Sequence, residues 1–206
     1  MSAIVLAGGV SRRFGQDKSL VMLGEKPLVV HVLDRVANVV DETVVVVNSE
    51  IQKQNFAKVI GEKTRVVVDE AKVQTPLAGA LAGFVNVQNE YTLLLGCDTP
   101  FLSSEILIFL LEVCLNKAAA IPRWPNGNIE PLQAAYRTEI AAQAAETAIK
   151  KRQLDMRSMI KHMKSIRYIS TSLLHQLDPK LKTFFNINTP KDLEQAEAMI
   201  QQRHAY

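Results

Sequence analysis

Short apolar runs alternate with amphipathic helical patterns along this chain. That predicts a doubly wound α/β fold, a mostly parallel sheet with helices on both faces. Three observations carry the prediction. Residues 43–47 form a continuous β-branched run, the kind buried on both faces of a parallel sheet. Val29, Val32, Leu33, Val36 and Val40 recur at three- and four-residue spacing, one apolar helical face opened by Pro27. A loop containing Gly8 and Gly9 leaves the first apolar run, residues 3–6, where open α/β sheets place their ligands.

The remaining elements continue the alternation. A second helix is expected over residues 51–60 and the next strand over 65–68, ending at Asp69. Residues 76–87 read as a helix whose small residues, Ala78, Gly79, Ala80, Ala82 and Gly83, allow close packing on the sheet. Residues 91–95 form a fourth strand, followed by Gly96-Cys97-Asp98-Thr99-Pro100, and Ser103 caps a helix to about residue 116. Residues 118–122 and 132–136 read as strands around a loop with an Asn126-Gly127 turn signal. Helices over 139–151 and 155–163, strands over 166–170 and 183–187, and a last helix opened by Thr189-Pro190 complete the chain. No repeat or low-complexity tract interrupts it, and the 206 residues suit one domain with a sizeable core.

Composition excludes several classes. Apolar residues at 48% and charged residues at 22% argue against disorder. A net charge of +3 is too small a basic excess for a nucleic-acid partner. No apolar run approaches membrane-span length. Cys97 and Cys114 give neither metal spacing nor a disulfide framework, and no basic region precedes an apolar run at the N-terminus, so the expected setting is cytoplasmic. His31, His162, His175 and His204 show no zinc spacing.

The glycine loop carries the first chemical signal. Gly8 and Gly9 let the backbone approach a ligand closely, and successive N–H groups in such a loop form an anion-binding concavity. Arg13 and Lys18 add positive charge, the first suited to forked phosphate contacts and the second to a point charge. The plain alternative is a strand-to-helix turn with solvated cations. The loop is not a Walker loop, since Gly15 is followed by Gln16, and it lacks the G-x-G-x-x-G dinucleotide pattern.

A second signal is the placement of polar residues at strand ends. Asn48, Asp69, Asp98 and Asn188 each follow a predicted strand, which in a parallel sheet gathers them on the edge that holds the glycine loop. Each alone is explained by turn preference; four together suggest a site. Asp98 follows a wholly apolar strand. A lone carboxylate there suits Mg²⁺, which takes one or two carboxylates and fills its shell with phosphate oxygens and water. Between Lys150 and Arg167 seven Lys or Arg face only Asp155, a solvated surface or a patch attracting an anionic substrate or acidic partner.

The complete string L-A-G-G-x-S-x-R-x-G-x-D-K, from Leu6 to Lys18, resembles the signature of nucleotidyltransferases that activate phosphorylated small molecules, and most nearly that of the molybdenum cofactor guanylyltransferases. Phe14 replaces the usual Met. L-L-x-x-D-T-P around Asp98, T-P-L-A-G from Thr75 and N-x-N-T-P from Asn186 are similar to further motifs of that family, with Thr75 standing where the family has Gly. The resemblance implies a nucleotide-binding half over about residues 1–100 and an acceptor-binding half over about 101–206. It implies GTP contacts from Leu6, Ala7, Gly8, Gly9, Lys18, Asn48, Asp69 and Asp98, with Mg²⁺ on Asp98 and catalytic roles for Lys18, Arg13 and Asp98. Asn186 and Asn188 would face the pterin. The implied reaction joins GMP from GTP to the phosphate of molybdopterin and releases pyrophosphate. The implied partners are GTP, molybdopterin and a molybdoenzyme or its chaperone, with no nucleic acid and no membrane. A related transferase using CTP or another phosphorylated acceptor, and a non-catalytic cofactor-binding adaptor, are the alternatives.

Overall fold

The strands of the main sheet are, in chain order, β1 (Ser2–Leu6), β2 (Glu42–Val47), β3 (Thr64–Val68), β4 (Tyr91–Gly96), β5 (Ala119–Arg123), β6 (Gln133–Arg137) and β7 (Ile166–Ser170). They lie side by side in the order β7-β5-β6-β4-β1-β2-β3. Every pairing is parallel except those of β6, which runs against both β4 and β5. The helices are α1 (Leu28–Val36), α2 (Glu50–Ala57), α3 (Pro76–Phe84), α4 (Ser104–Cys114), α5 (Thr138–Lys150), α6 (Met156–Lys161), α7 (Thr171–Leu174) and α8 (Pro190–His204). This computed structural model describes residues 1–8, 10–11, 16–61 and 64–204.

Strand alternation divides the core into two layers. Ala3, Val5, Val45, Val47, Leu93 and Leu95 point to one face and pack against α1, α2 and α4. Ile4, Val44, Val46 and Leu94 point to the other, against α3, α5 and α6. Continuous valine in β2 is therefore the consequence of burial on both sides, as the run at 43–47 predicted. A smaller cluster of Val21, Leu23, Leu28, Ile187 and Ala196 seats α8 on a short ribbon formed by Met22–Leu23 and Lys26–Pro27. The chain runs outward from β1 through β2 to β3, then returns to place β4 on β1's other side. That reversal opens a crevice at the carboxyl ends of β1 and β4.

The small residues of α3 do what their sequence suggested. An added Cβ on Gly83 would lie 2.5 Å from Ile4 Cγ2 and 2.9 Å from Ile4 Cδ1, both in a fully buried side chain. Gly83→Ala should therefore destabilise the fold. Overpacking of about 1–3 kcal/mol exceeds the helix-propensity gain of up to ~1 kcal/mol. Thermal unfolding is expected to shift down by roughly 2–4 °C per kcal/mol at this chain size; an unchanged or raised midpoint would contradict the packing.

One expected strand is absent. Residues 183–187 are not in the sheet: Lys182–Phe184 is a 3-10 turn entered through Leu181 at φ 45°. Local polar bonds override the β-branched and aromatic signal. Thr183 donates from its backbone N and its hydroxyl to Asp178 Oδ2 (2.8 and 3.0 Å), and its hydroxyl accepts from Ser103 N. Phe184 and Ile187 are buried without sheet pairing.

Candidate functional site

A cleft of about 530 Å³ lies at the carboxyl ends of β1, β2 and β4, a size suited to a small-molecule ligand. Leu6, Ala7 and Gly8 line it after β1, Val46 and Asn48 at the end of β2, and Gly96, Cys97 and Asp98 after β4. Lys18 and Ser19 enter from the loop, Gln74, Thr75, Pro76 and Gly79 from the start of α3, and Leu132 and Asn188 from the second half of the chain. Leu132 arrives because β6 is reversed: its amino end lies at this edge, and Gly96 N donates to Leu132 O at 3.1 Å.

The charged centre joins residues eighty and more positions apart. Lys18 Nζ donates to Asp98 Oδ2 at 2.8 Å and to Asn188 Oδ1 at 2.7 Å. The Lys18 and Asp98 side chains are only 16% and 25% exposed, so the pair is largely shielded from water, which strengthens it. Local folding explains how each partner is held. Asp17 caps the 3-10 turn Lys18–Leu20, accepting from Ser19 N at 3.1 Å and from the Ser19 hydroxyl. The Thr99 hydroxyl donates to Gly96 O at 3.0 Å, closing the turn that presents Asp98. Gly96 gives the carboxylate room, because an added Cβ would lie 2.6 Å from Asp98 Oδ1 and the side chain would have to shift. Asn188 precedes a capping box in which Thr189 Oγ1 accepts from Asp192 N (3.2 Å) and Asp192 Oδ2 accepts from Thr189 N (2.8 Å) and Asn188 N (2.9 Å). These bonds, the Asn188 N–H first, hold the Asp192 carboxyl below the usual carboxylate range. Ile187 N donates to Asp98 O at 2.9 Å, tying this segment to β4.

The opposite wall is built from amides. The Asn48 side chain lies against the α-carbon of Gly8 so closely that any Cβ there would overlap its amide. Gln74 Nε2 donates to Asn48 O at 2.9 Å. Thr75 has φ −138° and caps α3, its hydroxyl accepting from Ala78 N at 3.1 Å. Extended backbone suits Thr, so its presence in place of Gly carries no conformational cost. Cys97 is buried, which together with the Asp98 charge pushes its thiol well up, so it stays protonated and is no nucleophile.

The structure thus brings together Leu6, Ala7, Gly8, Lys18, Asn48, Asp98 and Asn188. Asn188 reaches the edge from an irregular segment rather than from a strand. Asp69 follows β3 as expected but does not line the cleft; it is 5% exposed, its Oδ1 accepts from Ala71 N, and its Oδ2 is buried without a partner among the described residues. Asn186 turns back to its own chain, donating from Nδ2 to Phe184 O at 3.0 Å. Arg123 lies over the Tyr168 ring at 5.3 Å, outside the cleft lining. Gly9 and Arg13 lie outside the described residues. Gln52 and Gln74 escape a reading of the sequence. Glutamine carries no motif of its own, although Ser49-Glu50-Ile51-Gln52 has the spacing of a capping box.

Among the described residues no three His, Cys, Asp or Glu cluster as a metal cage. The cleft instead offers the single carboxylate of Asp98 beside a cation and a glycine loop. That donor set fits a hard divalent ion that completes its shell with phosphate oxygens and water, and it does not fit zinc.

Comparison with known proteins agrees with this geometry. The family model described as a MobA-like NTP transferase domain matches residues 3–166. A relative from Pyrococcus horikoshii, named a probable molybdenum cofactor guanylyltransferase, is 34% identical over 196 residues, covering 93% of this chain and 96% of its own length. One of the same name from Methanosarcina mazei is 33% identical over 94% of this chain and 88% of its own. The crystal structure of molybdopterin-guanine dinucleotide biosynthesis protein A from Archaeoglobus fulgidus superposes with a TM-score of 0.84 at 30% identity, over 98% of this chain and all (100%) of that one. The match covers the glycine loop, Asp98 and the sheet that joins them, and the chain therefore belongs to the MobA-like NTP transferase family and is a nucleotidyltransferase.

Proposed function

We propose that this enzyme transfers GMP from GTP to the phosphate of molybdopterin, releasing pyrophosphate and forming the guanine dinucleotide form of the molybdenum cofactor. The observation that carries the reading is the Lys18–Asp98–Asn188 centre at the mouth of the crevice, in a chain about one-third identical over nearly its whole length to proteins named for that transfer. The same reading sets the reaction in the cytoplasm; no helix among the described residues is long and apolar enough to cross a membrane. A molybdoenzyme or its chaperone would then receive the product.

The chemistry is a direct displacement. An oxygen of the acceptor phosphate forms a bond to the α-phosphorus, the bond from that phosphorus to the bridging oxygen breaks, and pyrophosphate leaves with the electron pair. Backbone N–H groups around Gly8 bind phosphate, and Lys18 stabilises the charge that develops on the leaving group. Arg13 is assigned the same task from the loop. Mg²⁺ held by Asp98 would neutralise phosphate oxygens and so lower the charge repulsion that opposes attack. Asn188 orients the Lys18 ammonium toward the acceptor side, and Asn186 supports that segment from behind. Leu6, Ala7 and Asn48 bound the nucleoside, whereas Asp69, buried outside the cleft lining, makes no contact with it. No residue needs to form a covalent intermediate.

Base selectivity tests the assignment. Pyrophosphate release measured for GTP, ATP, CTP and UTP, with and without molybdopterin, is expected to favour GTP on the order of 10²-fold, because a wrong base edge leaves buried polar groups unpaired. Equal use of CTP would instead support a cytidylyltransferase, and no turnover with any nucleotide would support an adaptor.

A further inference from the structure

Gln52 is the one buried amide, among the described residues, that touches both sides of the cleft's framework. It is 9% exposed and sits in the first turn of α2, behind the cleft wall. Its backbone N completes the Ser49 cap, donating to Ser49 Oγ at 3.2 Å. Its side chain does something else. Oε1 accepts from Asn48 N at 2.7 Å, and Nε2 donates to Asp17 Oδ2 at 2.7 Å. The amide orientation is forced, because the Asn48 N–H only donates and the Asp17 carboxylate only accepts.

We propose that Gln52 is a positioning residue for nucleotidyl transfer, a strut that sets the distance between the Lys18 turn and the Asn48 wall. Asp17 is the cap of the turn that carries Lys18, so a bond to Asp17 orients the cation. Asn48 packs against Gly8 and accepts from Gln74, so a bond to its backbone orients the other wall. The two short bonds couple the groups that hold phosphates to the groups that hold the nucleoside. Nothing else among the described side chains bonds both Asp17 and Asn48. Outer-shell hydrogen bonds that orient metal ligands matter by about 10–100-fold, a misplacement of about 1 Å in reacting groups can cost about 10²-fold, and a loss on that scale is expected for a strut that orients Lys18.

The proposal rests on the transferase reading above, and its test separates the two. Gln52→Met keeps the length and removes both bonds. Gln52→Glu retains the acceptor toward Asn48 and opposes the Asp17 carboxylate with a second one. Asp17→Asn combined with Gln52→Glu restores the pair with donor and acceptor exchanged, while the side-chain carbonyl left at position 17 still caps Ser19. Steady-state kcat and KM, affinity for a fluorescent GTP analogue, and melting temperature are measured for the parent and the three variants. The expected result is a fall in kcat/KM on the order of 10–100-fold for both single variants, with a kcat loss larger than any KM change, and recovery to within several-fold of the parent in the double variant. The analogue affinity should fall and recover in the same order, a readout that holds even if the substrates are other than proposed. Parental kcat and affinity in Gln52→Met would overturn the proposal. So would a double variant no better than Gln52→Glu alone, or a loss of activity that simply follows the loss of folded protein.

Discussion

Asp98→Asn is expected to abolish metal-dependent transfer while leaving a folded protein. The substitution keeps the size and hydrogen-bonding shape of the side chain and removes only the charge. Turnover should drop by at least the ~10³-fold associated with one charge-stabilising group, and Mg²⁺ should no longer stimulate what remains. Nucleotide affinity without metal should partly survive through the glycine loop and Lys18. An unpaired carboxylate at the end of an apolar strand would be costly to bury, and its neutralisation would then raise the melting temperature of the metal-free protein. The structure changes that expectation, because Lys18 compensates it at 2.8 Å and both side chains retain some exposure. The substituted amide would keep an oxygen that can accept from Lys18 but would leave the ammonium without its counter-charge, so stability should fall rather than rise. Turnover and GTP affinity titrated with Mg²⁺, beside a thermal melt, decide the matter. Near-parental turnover with the same Mg²⁺ dependence would make Asp98 a turn residue only.

Lys18→Ala is expected to lower turnover on the order of 10²–10³-fold. Its ammonium is the junction of the site, bonded to Asp98 on β4's carboxyl end and to Asn188 ahead of α8. Removing it takes away phosphate stabilisation and one link between the β4 edge and the segment ahead of α8, while Ile187 N still donates to Asp98 O. The Asp17 cap and the Thr189–Asp192 capping box hold both segments independently of Lys18, so the fold should persist. Affinity for GTP should fall less than turnover does, since Lys18 acts most on the charge that develops as pyrophosphate leaves. Parental turnover, or inactivation that tracks unfolding, would contradict the role.

Much of the architecture is legible in the sequence because it rests on burial. Valines at 44–47 and leucines at 93–95, short apolar runs bounded by polar residues or glycine, fit strands of a sheet covered on both faces, and the 3.6-residue spacing from Val29 to Val36 marks the buried side of α1. The gathering of Asn48 and Asp98 at one edge follows from parallel pairing. The stretch at 183–187 misleads because β-branched and aromatic residues there serve a turn fixed by Asp178, a partner only the tertiary structure identifies. Asn188 nonetheless reaches the expected edge, through Ile187 bonding to Asp98 rather than through a strand. The reversal of β6 is equally invisible, since strand direction has no hydrophobic signature, yet it brings Leu132 to the cleft. Thr75 stands where a glycine is expected and serves as an N-cap, a role its position before Pro76 allows. Gln52 and Gln74 act by hydrogen bonds to distant groups, and no periodicity or charge pattern records such contacts.

The most direct test of the central claim follows the α-phosphorus. GTP labelled at that position is incubated with the enzyme, Mg²⁺ and molybdopterin, and the label and released pyrophosphate are quantified together. The account predicts that the label moves from GTP into a pterin product in amounts equal to the pyrophosphate released, and that neither appears without molybdopterin. Label that stays in GTP, or that emerges as free GMP without a pterin adduct, would contradict it.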